Sequence, residues 1–105
     1  MSYAIEKTVQ SLRDVEEAFV YIAEGDLDSA LRFLVAIEKT IELIAEHPLI
    51  GSNRAFEHRK LKNVRLWPVS DFDNYLIFYQ PDEKRRTVTF LRMLNAKRDF
   101  YLIFD

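Results

Sequence analysis

The sequence predicts an α+β fold in which a strand and two helices precede three strands, in the order β-α-α-β-β-β. Apolar residues recur at helical spacing in the first half of the chain, whereas runs of β-branched and aromatic residues fill the second half. We expect a helical hairpin packed on a small antiparallel sheet, followed by a short C-terminal helix or tail. With 105 residues and only two glycines and three prolines, the chain is expected to form one domain, residues 1–105.

The first strand and first helix are predicted from local signals. Residues 3–8 alternate weakly, which is typical of an edge or opening strand. Ser11 offers a hydroxyl N-cap with an acid three residues later, so a helix is expected to begin near Ser11. Gly25 is expected to end this helix.

The second helix carries a longer apolar stripe. Asp26 or Asp28 can cap its start. Apolar residues then recur at steps of three and four, at Ala30, Leu34, Ile37, Ile41 and Ile44. His47-Pro48 is expected to stop the helix, because the residue before a proline disfavours the α region.

Three strands are predicted in the second half. Residues 61–69 form the first of them, and Pro68 indicates that it is an edge strand or that it ends there. Residues 71–74 have the polar character of a hairpin turn. The apolar run 75–79 is typical of a central strand covered on both faces, and residues 87–94 form the last strand.

Composition excludes several classes of function. The chain has no cysteine and two histidines, so neither a metal site nor another cofactor is expected. The N-terminus has no basic start followed by an apolar core, and no apolar run approaches about 18 residues, so we expect a cytoplasmic protein without a membrane segment. The net charge of −2 argues against direct nucleic-acid binding by the chain alone.

Charge is distributed unevenly along the chain. Residues 1–50 carry four basic and ten acidic side chains, whereas residues 51–105 carry eleven basic and seven acidic ones. The basic excess includes Arg59 and Lys60, which lie in a polar segment with His58. This segment is either a solvated surface or a patch that binds an anionic partner.

Arg65 and Arg92 are the leading site candidates, because each stands among the apolar residues of a predicted strand. Alternation would place Arg65 on the face of Leu61, Trp67 and Val69. It would place Arg92 on the face of Val88, Phe90 and Leu94. A buried guanidinium needs a partner. Either each arginine pairs with a carboxylate such as Asp71, Asp73 or Asp99, or its planar fork recognises a phosphate or a carboxylate of another molecule.

Other candidates lie near the end of the chain. Lys97 and Arg98 are either a basic site or part of a helix cap with a local ion pair to Asp99. For a ribonuclease, which needs an acid and a base around the phosphate, His58 and Tyr101 are weak candidates to move a proton. The apolar run 100–104 is expected to pack on the core or on a partner.

Six motifs follow one another over nearly the whole chain. They are Asp14-Val15-x-x-Ala18-Phe19-x-Tyr21-Ile22, Ala30-Leu31-Arg32-Phe33-Leu34, His47-Pro48-x-Ile50-Gly51, Val64-Arg65-x-Trp67-Pro68-Val69, Phe72-x-Asn74-Tyr75-Leu76-Ile77-Phe78-Tyr79 and Leu91-Arg92-Met93-Leu94-Asn95-Ala96-Lys97-Arg98-Asp99. In order and spacing they resemble the RelE/ParE superfamily of type II toxin–antitoxin toxins, and within it the ParE branch.

The resemblance implies a bacterial toxin, of the kind found in plasmid stabilisation systems, that is neutralised by a cognate antitoxin. ParE-type toxins bind and poison DNA gyrase, which implies that Arg65, Arg92, Lys97 and Arg98 contact the target, with Arg59 and Lys60 nearby. Many ParE-like sequences carry a histidine where this chain has an asparagine at position 95, which favours a function without RNA cleavage.

Two alternatives remain open under the resemblance. RelE-type relatives cut messenger RNA on the ribosome, and in that case Arg65, Arg92 and Lys97 would bind the phosphate while His58 or Tyr101 moves a proton. The other alternative is an inert relative retained as a partner of its antitoxin. The chain could form a homodimer or a hetero-oligomer with the antitoxin.

Overall fold

The computed structural model describes residues 2–53 and 63–99. Its elements follow one another as β1 (Ala4–Lys7), α1 (Val9–Gly25), α2 (Leu27–Glu46), β2 (Arg65–Val69), β3 (Phe72–Asp82) and β4 (Thr87–Asn95). This order confirms the predicted α+β fold. His58, Arg59, Lys60, Tyr101 and the apolar run 100–104 lie outside the described residues.

The four strands form one sheet in the order β1-β4-β3-β2. The β2–β3 and β3–β4 pairs are antiparallel as predicted, and the apolar run in β3 lies in the interior of the sheet. β1 joins β4 in parallel, from Ala4 opposite Thr87 to Lys7 opposite Phe90, so the sheet is mixed. The helices and strands between β1 and β4 provide the long connection that a parallel pair requires.

The helix ends follow capping chemistry. α1 begins at Val9, two residues before the predicted start, because the Thr8 hydroxyl accepts a hydrogen bond from the Ser11 amide at 3.0 Å and so acts as the N-cap. Of the two predicted caps, Asp26 and Asp28, it is Asp26 that caps α2, and it accepts from the Asp28 amide at 3.0 Å. α2 ends at Glu46, directly before the predicted His47-Pro48 stop. Within the described part of the chain, neither helix has the length and hydropathy needed to cross a membrane.

The connection between β2 and β3 is tighter than predicted. The turn consists of Ser70 and Asp71, and Asp71 has φ of 65°. Aspartate tolerates this left-handed conformation better than most residues. The chain can therefore reverse within two residues, and Asp73 and Asn74 belong to β3 rather than to a turn.

The core lies between the helical hairpin and one face of the sheet. Phe33 of α2 is fully buried and packs edge-on against Phe72 at a ring-centroid distance of 5.1 Å. Val64, Phe78 and Leu94 form a second, smaller cluster. The apolar run in β3 thus contributes to both clusters, as predicted for a strand covered on both faces.

A bulge in β4 shifts the alternation of its side chains, so Phe90 and Met93 both belong to the main core although they are three residues apart. Phe78 lies opposite Arg92 and Tyr79 lies opposite Phe90, which leaves Leu91 without a partner on β3. Phe90 therefore belongs to the main core, whereas Leu94 belongs to the second cluster. The prediction that Arg92 shares one face with both Phe90 and Leu94 is wrong, because the bulge shifts the alternation by one residue.

Candidate functional site

Arg92 is held by Asp14 of α1 in a two-point ion pair. Arg92 Nε donates to Asp14 Oδ2 at 2.8 Å, and Arg92 Nη2 donates to Asp14 Oδ1 at 3.1 Å. The Asp14 side chain is only 6% exposed, whereas that of Arg92 is 40% exposed. The prediction of a carboxylate partner is confirmed for Arg92, but the partner is Asp14 and not Asp71, Asp73 or Asp99.

The path of the chain explains why Asp14 occupies this position. β1 ends at Lys7, and the Thr8 hydroxyl then donates to the Leu91 carbonyl at 2.8 Å, which fixes the start of α1 against the β4 bulge. β1 pairs only with residues 87–90 of β4, so the Met93 amide has no strand beside it on that edge. Asp14 Oδ2 accepts from this amide at 3.0 Å and satisfies it.

The same contacts determine the charge state of the pair. Burial acts to raise the pKa of Asp14, but the hydrogen bonds from Arg92, Gln10 and the Met93 amide outweigh it, and the pKa is lowered. The hydrogen bond to Asp14 raises the pKa of Arg92. Both groups therefore stay ionised at neutral pH, and the pair fastens α1 to the carboxyl-terminal half of β4.

Arg65 is anchored by main-chain carbonyls. Its Nη1 donates to the Gly51 carbonyl at 2.6 Å and to the Leu49 carbonyl at 3.2 Å, while its Nε is buried without a hydrogen-bond partner among the described residues. Arg65 lies opposite Tyr79 of β3, which belongs to the main core with Val69 and the adjacent Trp67, so Arg65 shares their face as predicted. Leu61, which was predicted on the same face, lies outside the described residues. No ion pair to a carboxylate is found for Arg65 within residues 2–53 and 63–99, so the carbonyls take the role predicted for an acid.

Tyr79 completes the anchor of the segment that follows α2. Its hydroxyl accepts from the Gly51 amide at 2.8 Å, and its side chain is fully buried. Burial raises the pKa of Tyr79, although the Gly51 hydrogen bond and the nearby Arg65 act in the opposite direction. The hydroxyl is therefore a neutral structural group at physiological pH. The burial of Tyr79 fits the central strand predicted for residues 75–79, whereas its hydrogen bond to Gly51 depends on a distant segment and has no local signal in the sequence.

Lys97 and Arg98 lie on an ordered turn directly after β4. The Asn95 side-chain oxygen accepts from the Lys97 amide at 2.9 Å and from the Arg98 amide at 3.0 Å. Asp99 closes the turn, because its carboxylate accepts from the Asn95 amide at 2.8 Å. Arg98 also pairs with Asp99 at 3.2 Å, which confirms the predicted local ion pair, although the residues form a turn and not a helix cap.

The structure places some of the predicted site residues together and separates others. Arg92 and Arg98 lie in a common electrostatic environment, since Asp99 and Glu17 act to raise the pKa of both. We call Arg92, Lys97 and Arg98, with Asp14 and Asp99, the β4-end cluster. Arg65 is instead fixed beside the loop that follows α2. Among the described residues, no group of three acidic or histidine side chains could hold a metal ion.

The comparisons with known proteins agree with this fold. The model of the family described as "ParE toxin of type II toxin-antitoxin system, parDE" matches residues 5–100. The comparison with curated proteins finds no match. A solved chain of the chromosomal ParDE toxin–antitoxin system from P. aeruginosa is 14% identical with a TM-score of 0.69, and the match covers 90% of this chain and 96% of that one.

Two further solved structures are similar in fold. A chain of the intact E. coli RelBE toxin–antitoxin complex is 18% identical with a TM-score of 0.61, over 92% of this chain and 100% of that one. A chain of the RelBE2 toxin–antitoxin complex from Mycobacterium tuberculosis is 20% identical with a TM-score of 0.57, over 90% of this chain and 99% of that one. At these identities the likeness establishes a shared fold.

Proposed function

The chain belongs to the ParE toxin family of type II toxin–antitoxin systems, and from this premise we propose that it inhibits DNA gyrase by binding to it. In this proposal the chain acts in the cytoplasm and is neutralised when its cognate antitoxin binds. No bond is made or broken by the chain itself. The toxin acts by occupying a surface of its target.

The charge states of the described residues support a binding function. A ribonuclease that uses general acid–base catalysis works best with groups whose pKa lies near the operating pH. In the β4-end cluster, the pKa values of Asp14 and Asp99 are lowered and those of Arg92 and Arg98 are raised. All four pKa values therefore lie further from neutral pH than the ordinary values of these groups. These groups are suited to hold fixed charges.

The β4-end cluster is the proposed contact surface for gyrase. Lys97 and Arg98 are exposed, and the Asn95 side chain fixes the backbone that presents them, so little conformational freedom is lost on binding. Arg92 leaves Nη1 without a hydrogen bond to any described residue and is proposed as a further contact. Arg65, Arg59 and Lys60 remain proposed contacts from the sequence.

A supercoiling assay with purified components tests the proposal. The wild-type chain is expected to block supercoiling by gyrase, and a Lys97→Ala/Arg98→Ala double variant is expected to inhibit it at least tenfold less well, in line with the loss of roughly 1.4 kcal/mol of contact energy. Lys39→Ala is the matched control, because Lys39 is an exposed cation on α2, outside the cluster. Full gyrase activity at excess wild-type chain would refute the proposal.

Two alternatives give different results in parallel assays. Translation-dependent cleavage of messenger RNA, with gyrase unaffected, would support the RelE-like endonuclease. Normal growth of cells that express the chain without its antitoxin would support an inert relative. Growth arrest that the antitoxin relieves, together with blocked supercoiling, is the outcome that the gyrase proposal requires.

A further inference from the structure

A polar cavity of about 590 Å³ lies at the end of the sheet where β3 turns into β4. Its wall includes Arg65 at the start of β2, Lys84 in the β3–β4 turn and Thr87 at the start of β4. The volume falls within the range of roughly 300–1,000 Å³ that is typical of sites for small ligands. Thr87 and Asn95 are the two ends of β4, so the cavity lies roughly 25 Å from the β4-end cluster along the strand.

The cavity arises from the unequal lengths of two neighbouring strands. β2 begins at Arg65, which pairs with Tyr79, whereas β3 continues to Asp82. Residues 80–82 therefore pair with β4 but have no neighbour on β2. Asn63 has φ of 61°, a left-handed turn conformation, so the chain changes direction just before β2 instead of extending along the edge of β3. A notch in the sheet remains beside the last residues of β3.

This cavity contains unused hydrogen-bonding groups. Within residues 2–53 and 63–99, two buried side-chain polar atoms have no hydrogen-bond partner, Thr87 Oγ1 and Arg65 Nε, and both residues line the cavity. Thr87 is only 8% exposed. Buried polar groups are normally hydrogen-bonded. Since the arginine nitrogen can only donate and the threonine hydroxyl can donate as well, both groups suit a ligand that is rich in acceptor atoms.

The charged side chains of the β3–β4 turn leave one cation available. Arg85 pairs with Glu6 at 2.9 Å, and one oxygen of Asp82 accepts from the amides of Lys84 and Arg85, each at 3.1 Å. The ammonium group of Lys84 has no carboxylate partner among the described residues. Glu83 also lines the cavity and is the acid that would oppose an anion there. Lys84 can therefore pair with an anionic group of a ligand.

We propose that the cavity binds a small phosphorylated ligand of the size of a mononucleotide. Its phosphate accepts a hydrogen bond from the Thr87 hydroxyl and pairs with Lys84, while another acceptor atom of the ligand accepts from Arg65 Nε. Hydrogen bonds to an ionised acceptor such as phosphate are stronger than those between neutral groups. This site is separate from the surface proposed for gyrase, and binding to it can be measured without gyrase.

Titration calorimetry on the full chain tests the ligand class with three probes, adenosine monophosphate, uridine monophosphate and inorganic phosphate. At least one of the two mononucleotides is expected to bind at millimolar concentration in low salt. Inorganic phosphate is expected to bind roughly tenfold more weakly, because it lacks the part of the ligand that meets Arg65. If neither mononucleotide bound, the proposal would be overturned. Equal affinity for inorganic phosphate would also overturn it, since the site would then accept free phosphate alone.

The role of the buried hydroxyl is tested by Thr87→Val, which keeps the branched shape of the side chain. This variant is expected to bind the mononucleotide roughly tenfold more weakly, yet to melt no lower than the wild type without ligand, because the hydroxyl has no partner in the fold. Thr40→Val is the matched control. The Thr40 hydroxyl donates to the Ala36 carbonyl at 2.7 Å and accepts from the Ser70 amide at 3.0 Å. This control should melt lower but keep its affinity. A Thr87→Val variant that melted as low as Thr40→Val would show that the hydroxyl serves the fold.

The charge requirement is tested at low salt by two substitutions in the turn. Lys84→Ala is expected to weaken mononucleotide binding roughly fivefold, and Glu83→Gln to tighten it roughly twofold, with both effects smaller at high salt. Lys39→Ala, on α2, removes an exposed cation outside the cavity and is expected to leave the affinity unchanged. Unchanged affinity of Lys84→Ala would place the bound ligand elsewhere. If sodium acetate at the same ionic strength raised the melting temperature as much as the mononucleotide does, the site would not be selective for phosphate, and the proposal would fail.

Discussion

Asp14 illustrates how one buried carboxylate can join two elements. It accepts hydrogen bonds from the Arg92 guanidinium, the Met93 amide and the Gln10 side chain, and the first two lie 78 and 79 residues away. Replacing Asp14 by asparagine keeps the size of the side chain but removes the charge and one acceptor oxygen. The donors of Arg92 and Met93 would then be poorly satisfied.

Asp14→Asn is therefore expected to lower the free energy of unfolding by roughly 1–3 kcal/mol. Urea denaturation at neutral pH measures the change. Asp73→Asn is the control, because Asp73 is exposed on β3 and is expected to change stability by less than about 0.5 kcal/mol. A loss for Asp14→Asn no larger than that of the control would show that the pair with Arg92 contributes nothing to stability.

The stability of the fold is expected to depend on pH through the Asp14 carboxylate. The pKa of Asp14 is lowered from 3.8, so the folded protein keeps this charge to a lower pH than the unfolded chain does. Its contribution to stability is complete above the unfolded pKa and is lost as the pH falls through the lowered folded pKa. Acid should therefore destabilise the wild type more than Asp14→Asn. Urea midpoints measured between neutral pH and about pH 2 test this, and parallel curves for the two proteins would contradict it.

Gly51 is required by a close approach of the backbone to Tyr79. A Cβ at position 51 would lie 2.6 Å from the Tyr79 hydroxyl and 2.8 Å from the Leu66 carbonyl, whereas a Cβ at Gly25 would meet nothing within 4 Å. Gly51→Ala should destabilise the fold by roughly 1–3 kcal/mol, and Gly25→Ala should be neutral or stabilising by up to about 1 kcal/mol. Thermal denaturation of both variants measures the difference. Equal melting temperatures would contradict this prediction, because they would mean that Tyr79 shifts to accommodate the added methyl group without loss of stability.

Elements were predictable from the sequence where their signals are local. The Asp26 cap, the stop at His47-Pro48 and the apolar run in β3 all depend on neighbouring residues, and the structure has them where the sequence indicates. The parallel pairing of β1 and the bulge at Leu91 depend on contacts between distant segments, so no local pattern reports them. The partner of Arg92 was not predicted, because Asp14 lies 78 residues away in the sequence. The available signal was an acidic residue on the buried side of α1.

Asp26 lies between the two helices and forms hydrogen bonds with both. Its amide donates to the Ile22 carbonyl at the end of α1, while its carboxylate accepts from the Asp28 amide and the Ser29 hydroxyl at the start of α2. Asp26→Ala should lower the melting temperature, because the capping acceptor is lost, and Asp26→Ser should recover most of that loss. Calorimetric melting temperatures measure both changes. If serine were no better than alanine, the cap would not be the source of the effect.

Acidic and basic side chains are distributed unevenly between the helical hairpin and the end of β4. The helical hairpin carries most of the acids, whereas the described cations of the second half include Arg92, Lys97 and Arg98 at the end of β4. The charge asymmetry and the family resemblance were both visible in the sequence. The sequence does not show whether an arginine stabilises the fold or binds a partner, because this depends on which side chain the tertiary structure places beside it.

Arg92 and the Lys97-Arg98 turn should therefore respond differently to substitution. Arg92→Lys keeps a positive charge but cannot match both oxygens of Asp14, so it should lower the melting temperature and weaken the proposed inhibition of gyrase together. Lys97→Ala/Arg98→Ala should weaken inhibition with a smaller loss of stability, since Arg98 is 62% exposed and the turn is closed by Asn95 and Asp99. Melting temperatures and supercoiling assays on the same preparations separate the two effects. A turn variant that lost stability as severely as Arg92→Lys would show that the turn serves the fold, because its effect on gyrase would then follow from unfolding.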